Sequence, residues 1–377
     1  MGWSLSLRLL VVCATLVPAT DAAWGKPQVR FPTEVERVNE GVVSIISGTP
    51  GGTYFKMAGD LSLVLDEEQG LRVLPVLGKG AGQNAYDLLY LKGIDLAFVR
   101  TDTLEQLKQD TKIRNAAQQI VYLARLFNDE LHVVTKSDIT DVRQLSGRRV
   151  SFDVKGSGSD YSGRAMFEGL GIEVVPVNID QAAAIEQLKR GELAAIVSVA
   201  AKPVSILSSI DQNSSLRLLN VPYPSSLMDR YYPSELVSSD YPKLIPSGET
   251  VRTIAVGTIL AAVNHPKGSE RYERLKRFTD AFFRRYHDFQ VEPRHPKWRE
   301  VNLDATVQGW ARFTPAQEWI DRRREEVAAK EAAQQAALRS DIQRFLEQKL
   351  TALGNDREAV LKEYLTWRAK DGRADLK

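Results

Sequence analysis

Three glycine-rich loops have the residue types and the spacing that binding of a small anion requires. They occupy residues 48–53, 78–83 and 156–159, and each stands before a segment with helical spacing of apolar residues. Glycine lets the backbone approach a ligand closely, and a helix N-terminus offers free N–H groups and a partial positive charge. The loop hydroxyls that add further donors belong to Thr49, Thr53, Ser157 and Ser159. The loops therefore predict an anion site, unless the glycines serve only to make turns.

Strands and helices must alternate to bring these loops together. The segments predicted as strands are residues 41–47, 71–77, 94–100, 131–135, 149–154, 173–178 and 194–199. Residues 251–263, which are apolar and β-branched, are expected to return the chain to the first lobe. The segments predicted as helices are residues 54–67, 85–91, 160–170, 182–190, 271–286 and 315–351. This alternation is typical of an α/β fold with a mainly parallel sheet, in which loops at the carboxyl ends of strands meet ligands. Residues 222–246, rich in proline, tyrosine and serine, are predicted to be mostly surface loop.

The N-terminus has the pattern of a signal peptide. Residues 9–18 form an apolar run that follows one positive charge, and small residues stand behind it. Because this run is short for a bilayer-spanning helix, we expect cleavage near Ala22 or Ala23 and export to the periplasm, with a retained membrane anchor as the alternative. Cys13, the single cysteine, lies within the run, so the mature chain is expected to have no disulfide and no cysteine metal ligand.

Composition and motif content argue against several classes of function. The chain carries 50 basic and 48 acidic residues, which gives no reason to expect a nucleic-acid partner. It contains neither the P-loop pattern nor G-x-G-x-x-G, and it contains neither G-x-S-x-G nor H-E-x-x-H. Its four histidines lack metal-binding spacing, and His132 stands in an apolar strand where a hydrogen-bonded core residue is expected. We predict no catalytic residue, no cofactor and no metal, with an enzyme on a binding-protein fold as the alternative.

Three longer segments stand in a distinctive order along the chain. They read GTPGGTYFKMAGDL (48–61), GKGAGQNAYDLLYLKGIDLAFVRTD (78–102) and GRRVSFDVKGSGSDYSGRAMFEGLGI (147–172). Together, over about residues 40–325, they resemble the TAXI subgroup of TRAP-transporter solute-binding proteins. The resemblance implies a two-lobed periplasmic-binding-protein fold (type II-like) that closes on a small carboxylate, including dicarboxylates and amino acids. It also implies a TRAP-type membrane permease as the partner.

The resemblance and the loop hydroxyls together indicate which residues line the cleft between the lobes. The candidate ligand-binding residues are Thr49, Gly51, Gly52, Thr53, Tyr54, Gln83, Asn84, Arg100, Thr101, Asp102, Lys155, Ser157, Gly158 and Ser159. Arg100 replaces the glutamine usual in the family and brings a full positive charge to the expected site. Because arginine pairs with carboxylates bidentately, Arg100 either clamps the ligand or forms a salt bridge with Asp102 or another acid. Tyr54 is expected to wall the cleft, and Lys79 is a further candidate.

The predicted domain boundaries separate two blocks of alternating strands and helices from a helical tail. The first lobe is assigned to residues 24–136 plus 256–325 and the second to residues 137–255, after a signal peptide at residues 1–23. Residues 326–377 are predicted as a helical C-terminal extension. Its apolar stripe consists of Leu338, Ile342, Phe345, Leu346 and Leu350. The extension either packs back on the lobes or binds a second copy or another envelope protein, as a sensor or adaptor would.

Overall fold

The computed structural model describes residues 33–66, 70–353 and 357–370. The chain divides into two compact units, Met1–Glu40 and Gly41–Lys377. In the first unit the described helix is α1 (Glu34–Asn39), and the predicted signal peptide lies outside the described residues. Over the described ranges, no helix combines the length and the apolar character needed to cross a membrane.

The second unit is a two-lobed α/β structure in which strands and helices alternate. In its described residues the strands are β1 (Val42–Ile46), β2 (Arg72–Val76), β3 (Leu96–Arg100), β4 (Ile120–Lys136), β5 (Arg149–Ser151), β6 (Val175–Val177), β7 (Ala195–Ala200), β8 (Leu216–Leu218), β9 (Tyr232–Val237) and β10 (Thr250–Val263). The helices are α2 (Thr53–Leu65), α3 (Ala81–Tyr90), α4 (Thr101–Gln109), α5 (Ala116–Gln119), α6 (Gly158–Gly169), α7 (Gln181–Arg190), α8 (Ser205–Ser208), α9 (Ser225–Met228), α10 (Glu270–Arg284), α11 (Thr314–Leu353) and α12 (Arg357–Lys370). Short 3-10 helices span Val142–Leu145, Gln212–Ser214, Tyr286–Phe289 and Pro296–Glu300.

One sheet extends through both lobes. In the described part of the chain its order is β2-β1-β3-β10-β4-β7-β5-β6, with β8 beside β4 and β9 beside β10. β1 pairs in parallel with β2 and β3, and β5 pairs in parallel with β6 and β7. β4 and β10 are antiparallel to each other at the centre of the sheet. Each lobe therefore has a parallel portion, but the prediction of a mainly parallel sheet is wrong. The long strands β4 and β10 cross between the lobes and run antiparallel to every strand with which they pair in the described residues.

The central strands β4 and β10 belong to both lobes. Residues 120–125 of β4 pair with β10 in the first lobe, whereas residues 130–135 pair with β7 in the second. β10 likewise pairs with β9 through residues 250–255 and with β3 through residues 258–262. The register of the β4–β10 pair shifts near the middle of the two strands. A hinge motion would bend these two strands where they pass from one lobe to the other.

Two predictions about the elements are incomplete. The strand predicted at residues 131–135 is only the end of the 17-residue β4, which was missed because it is buried on both faces and shows little alternation. Residues 222–246, expected to be surface loop, contain β9, and Tyr231 and Tyr241 within this segment are fully buried in the second lobe. Their rings fill core space that the proline-rich composition does not reveal.

The first lobe buries helices against both faces of its sheet. On one face α10 presents Leu275, Phe278 and Phe282, which are buried in the same cluster as Leu61 of α2. This agrees with the amphipathic pattern predicted for residues 271–286. On the other face α3 and α4 contribute to a separate cluster. Because α2 follows β1 and α3 follows β2, this packing holds both helix N-termini at the carboxyl ends of their strands.

The C-terminal helix extends beyond the lobe on which it begins. Ala316 and Ile320 of α11 are buried in the core of the first lobe, but residues 321–337 are exposed throughout. Within the predicted apolar stripe, Leu338 is half-buried and Ile342 is exposed. The remaining side chains of that stripe lie outside the described residues. α12 contacts α11.

His132 of β4 is a buried, hydrogen-bonded core residue, as its place in an apolar strand predicts. Its Nδ1 lies 3.2 Å from the carbonyl oxygen of Ser198, and its Nε2 lies 2.8 Å from the hydroxyl of Tyr241. Burial disfavours the imidazolium and lowers the pKa of His132 to about 4. In the unfolded chain the pKa of a histidine is about 6.5. Between pH 6.5 and pH 4, His132 therefore binds a proton in the unfolded chain but not in the folded chain.

Acidification should consequently reduce the free energy of unfolding through His132. The stabilising contribution is complete above pH 6.5 and is lost as the pH falls towards 4, by at most about 1.4 kcal/mol per pH unit for one proton. We expect His132→Gln to flatten the decline between pH 6.5 and 4, measured by urea unfolding at several pH values. His287→Gln, at a histidine whose side chain is 78% exposed, is the control. Equal slopes in His132→Gln and the wild type would contradict the assignment.

Candidate functional site

A cavity of about 320 Å³ lies between the lobes and is lined by residues from both. The lining residues of the first lobe are Gly48, Thr49, Pro50, Gly51, Gly52, Thr53, Tyr54, Lys79, Gly80, Ala81 and Arg100. Asp129 of the central strand β4 joins them. The lining residues of the second lobe are Asp153, Ser157, Gly158, Ser159, Gln181, Ser198, Val199, Ala200, Val204, Ser205 and Ile206. All three glycine loops of the sequence thus contribute residues to one cavity.

The N-termini of α2, α3 and α6 meet at this cavity. Their N-cap residues are Gly52, Gly80 and Ser157, each of which lines the cavity. At Gly52 and Gly80 no side chain caps the helix, and the first turns of α2 and α3 contain no acidic residue. Within the described residues, no side chain therefore caps the free N–H groups of these two termini, which carry a partial positive charge.

Arg100, the last residue of β3, is 3% exposed and connects the two lobes. Its Nε donates to Asp129 Oδ2 at 2.7 Å, and its Nη1 donates to Ser162 Oγ at 3.3 Å. Its Nη2 donates to the carbonyl oxygen of Val199. Of the alternatives left open by the sequence, the salt bridge is present, but its partner is Asp129 rather than Asp102. Because Arg100 also lines the cavity, the salt bridge does not remove its charge from the site.

Gly158, the first residue of α6, makes room for the Arg100 guanidinium. A Cβ atom built at Gly158 would lie 2.1 Å from Arg100 Nη1 and 2.5 Å from Arg100 Cζ. The guanidinium is therefore packed against the N-terminus of α6, where the helix dipole disfavours a cation. Asp129 offsets part of this positive charge. An anion in the cavity would offset more of it, because the helix terminus and the guanidinium both attract negative charge.

Asp129 is fully buried and uses one carboxylate oxygen for all its described hydrogen bonds. Oδ2 accepts from Arg100 Nε, from the Tyr54 hydroxyl at 2.5 Å and from Thr258 Oγ1 at 3.2 Å. Within the described residues, Oδ1 has no hydrogen-bond partner. Tyr54 stacks on Phe98 with ring centroids 5.2 Å apart. Burial, together with the charge of Asp129, raises the pKa of Tyr54, so its hydroxyl remains a donor.

Asp102, two residues after Arg100, is connected to it through Ser162, whose Oγ accepts from Arg100 Nη1 and donates to Asp102. It is 1% exposed, its Oδ2 accepts from Ser162 Oγ at 2.5 Å, and its Oδ1 accepts from the backbone N–H of Thr103 at 2.7 Å. Burial raises the pKa of Asp102, although Arg100 and the hydroxyl of Ser162 oppose this shift. Since Asp102 belongs to α4 and Ser162 to α6, this contact also joins the two lobes.

The sequence-predicted site residues fall into two groups. Those that line the cavity are Thr49, Gly51, Gly52, Thr53, Tyr54, Arg100, Ser157, Gly158 and Ser159. Those that are not part of the lining are Gln83, Asn84, Thr101, Asp102 and Lys155. Gln83 donates to Asp87 at 3.0 Å, buried Asn84 donates to two backbone carbonyls, and Lys155 is exposed. Asn84 therefore anchors the loop between β2 and α3 to the neighbouring strands.

Several lining residues were missed by sequence reasoning. Asp129 had a usable signal, because it is a charged residue inside an apolar run that proved to be one strand. Asp153 had a weaker one, since it is an acidic residue shortly before the third glycine loop. In the structure it follows β5 and has a φ of 64°, which side chains rarely adopt. Burial raises the pKa of the Asp153 carboxyl. Among the described residues, no group of three or more histidine, cysteine, aspartate or glutamate side chains is arranged to hold a metal ion.

Several solved structures are similar to the chain at low sequence identity. A periplasmic transporter shares 15% identity with a TM-score of 0.43, over 66% of this chain and 83% of that one. A TctC solute-binding protein from Polaromonas shares 18% identity with a TM-score of 0.41, over 69% of this chain and 86% of that one. An ancestral arginine-binding protein shares 15% identity with a TM-score of 0.42, over 69% and 96% respectively.

One family model matches a much longer part of the sequence than any single motif covers. A model of the NMT1-like family matches residues 45–307. The matched region begins within β1 and ends after the last 3-10 helix, so it contains most of both lobes and every residue that lines the cavity. Because the match extends over more than half of the chain, the protein is a member of the NMT1-like family.

Proposed function

We propose that the protein is a non-catalytic, extracytoplasmic solute-binding protein that captures a small organic anion, a carboxylate or an amino acid, in the cavity between its lobes. The observation that carries the proposal is the meeting of three helix N-termini from both lobes at one cavity beside the buried guanidinium of Arg100. A helix N-terminus stabilises an anion without any charged side chain. Two of the three termini lack a capping side chain, which supports a ligand as their partner.

The remaining donors of Arg100 support direct contact with the anion. A guanidinium has five N–H groups, and the hydrogen bonds to Asp129, Ser162 and Val199 use three of them. Within the described residues two N–H groups remain for a ligand in the cavity that Arg100 lines. The cavity volume of about 320 Å³ suits a small metabolite and lies at the lower end of the usual range for ligand sites.

Capture in this arrangement requires the lobes to open and close. Lys56 Nζ donates to Ser205 Oγ at 2.9 Å, and Asp102 accepts from Ser162, so side chains of the two lobes are in contact around the cavity. We propose that bending of β4 and β10 separates these contacts, admits the ligand and then restores them around it. The closed form would present a surface that a partner protein recognises.

The partner that we propose is a TRAP-type permease, as the resemblance of the three glycine-loop segments implies. Export to the periplasm, with cleavage of residues 1–23, is part of the same proposal. A neighbouring gene for a large multispanning permease would support delivery of the ligand to a transporter.

The exposed residues 321–337 of α11 support the second candidate, a ligand-sensing adaptor that binds an envelope protein or a second copy. Light scattering on the full chain, with and without ligand, tests for self-association.

A thermal-shift screen tests whether the cavity binds carboxylates. A ligand that binds only the folded state stabilises it by about 2.7 kcal/mol at one hundred times its Kd. We expect a saturable rise in the melting temperature of the purified protein with one class of carboxylates. The primary amides of the same compounds should give a much smaller rise, because they lack the charge that the helix termini and Arg100 attract. An equal rise with the amides, or a rise only with sugars, would contradict the proposal.

A further inference from the structure

We propose that Asp129 makes the cavity selective for anions that also carry an ammonium group, so that amino acids bind in preference to their deaminated counterparts. This inference rests on the proposed function, because it assumes that the cavity holds a small organic anion. It adds a residue that the glycine-loop motifs do not include and a second chemical requirement on the ligand.

The two oxygens of the Asp129 carboxylate have different surroundings. The side chain is fully buried, and Oδ2 accepts hydrogen bonds from Arg100, Tyr54 and Thr258. Oδ1 accepts none from the described residues, yet Asp129 lines the cavity. A buried carboxylate oxygen without a donor is costly, because it has lost water and gained nothing in return. A donor inside the cavity would remove that cost.

The neighbouring donors form their described hydrogen bonds with atoms other than Asp129 Oδ1. The Arg100 Nη atoms donate to Ser162 and Val199 in the second lobe, so they are held away from Asp129 Oδ1 while the lobes are together. The Tyr54 hydroxyl has a single hydrogen, which it donates to Oδ2. The distance between the two oxygen atoms is 2.5 Å. Within the described residues no donor reaches Oδ1, and the cavity that Asp129 lines adjoins this carboxylate.

Further oxygen acceptors belong to residues that line the cavity. Gln181 Nε2 donates to the carbonyl oxygen of Val197 at 3.1 Å, which fixes the amide orientation and leaves Oε1 without a partner among the described residues. Gln181 and the carboxyl of Asp153 both line the cavity. An ammonium group carries three donors and a positive charge, which matches this set of acceptors better than a hydroxyl or a carbonyl does.

The residues that line the cavity carry charges of both signs. Anion attraction comes from the helix N-termini, Arg100 and Lys79, whereas Asp129 and Asp153 place negative charge in the same cavity. A ligand that carries only negative charge would meet Asp129 Oδ1 with repulsion or leave it unpaired. A zwitterion satisfies both sets of groups, its carboxylate facing the helix termini and its ammonium facing Asp129.

The test compares matched ligands by calorimetry on the full protein. The pairs are glutamate with 2-oxoglutarate, alanine with pyruvate, and leucine with 4-methyl-2-oxopentanoate. For the pair that fits the cavity we expect the amino acid to bind at least about tenfold more tightly, the scale of one lost charge-assisted hydrogen bond. Asp129→Asn should reduce that ratio several-fold. Asp95→Asn, the same change at another buried aspartate that accepts from the Ser44 backbone N–H, should preserve it.

The outcomes separate this inference from the proposed function. Tighter or equal binding of the oxo acids to the wild type would overturn the inference and leave anion capture standing. An amino-acid preference that persists unchanged in Asp129→Asn would overturn the role of Asp129. Binding by neither series, in a folded sample that also fails the carboxylate screen, would overturn the proposed function itself. If Asp129→Asn does not fold, the ratio measured for the wild type still decides the ligand class.

Discussion

Replacing Arg100 with methionine is expected to abolish anion binding and to lower the free energy of unfolding by about 3–5 kcal/mol. The change leaves Asp129 buried without the guanidinium that now lies 2.7 Å from its Oδ2. Stranding one member of a buried ion pair has this cost because the remaining charge has lost water without compensation. Urea unfolding measures the stability, and calorimetry with the best carboxylate of the screen measures the affinity.

A double variant separates the two roles of Arg100. Arg100→Met combined with Asp129→Leu replaces the buried pair with apolar side chains, which is often neutral for stability. We expect it to recover most of the lost stability but none of the affinity. Arg125→Met is the control. Arg125 lies on β4, the strand that carries Asp129, and it contacts Asn128 at 2.9 Å without lining the cavity. Wild-type affinity in Arg100→Met would show that Arg100 is only a structural salt bridge.

We expect Gly158→Ala to weaken ligand binding by about tenfold or more, because the added methyl group hinders closure of the lobes. The new methyl group would lie 2.1 Å from Arg100 Nη1, well inside contact distance. Arg100 cannot yield freely, because its Nε is held by Asp129 and its Nη2 by Val199. The methyl group should therefore either displace the guanidinium or hold the lobes apart. Calorimetry measures the affinity, and small-angle X-ray scattering with saturating ligand measures closure.

Gly59→Ala is the matched control for this substitution. Gly59 lies in the middle of α2, its φ is not in the left-handed region, and an added Cβ would meet nothing within 4 Å. Alanine there should leave affinity unchanged and stabilise the helix by about 0.5–1 kcal/mol. If Gly158→Ala binds as tightly as Gly59→Ala, with the same scattering profile, then the close approach of Arg100 to α6 has no part in closure.

The glycine loops illustrate what local pattern can predict. Glycine and hydroxyl residues followed by helical periodicity led to three helix N-termini, and the helices begin at Thr53, Ala81 and Gly158. The α/β class and the periodicity of α10 are confirmed for the same reason: alternation and helical spacing are properties of neighbouring residues. The predicted lobe boundaries, the TAXI assignment and the ligand remain predictions.

Arg100 shows where local pattern stops. Its charge near the site was evident from the sequence, but its salt-bridge partner was not, because Asp129 is 29 positions away on a strand that was not predicted to begin before residue 131. Asn84 was expected to contact a ligand and instead hydrogen-bonds Ser47 and Phe98 backbone carbonyls. A polar side chain after a glycine loop satisfies whichever partner the fold brings closest, and spacing along the chain does not specify that partner.

The sequence by itself determined the class of fold, the alternation of strands and helices around the three glycine loops, and the helices that follow these loops, because each depends on residues within about one turn or one strand of each other. Only the tertiary structure decided which side chains meet in the cavity. Tyr54 approaches Thr258 across 204 positions and Arg100 approaches Val199 across 99. Such contacts depend on how β4 and β10 pass through both lobes, and a buried carboxylate such as Asp129 acquires its partners only when that packing is complete.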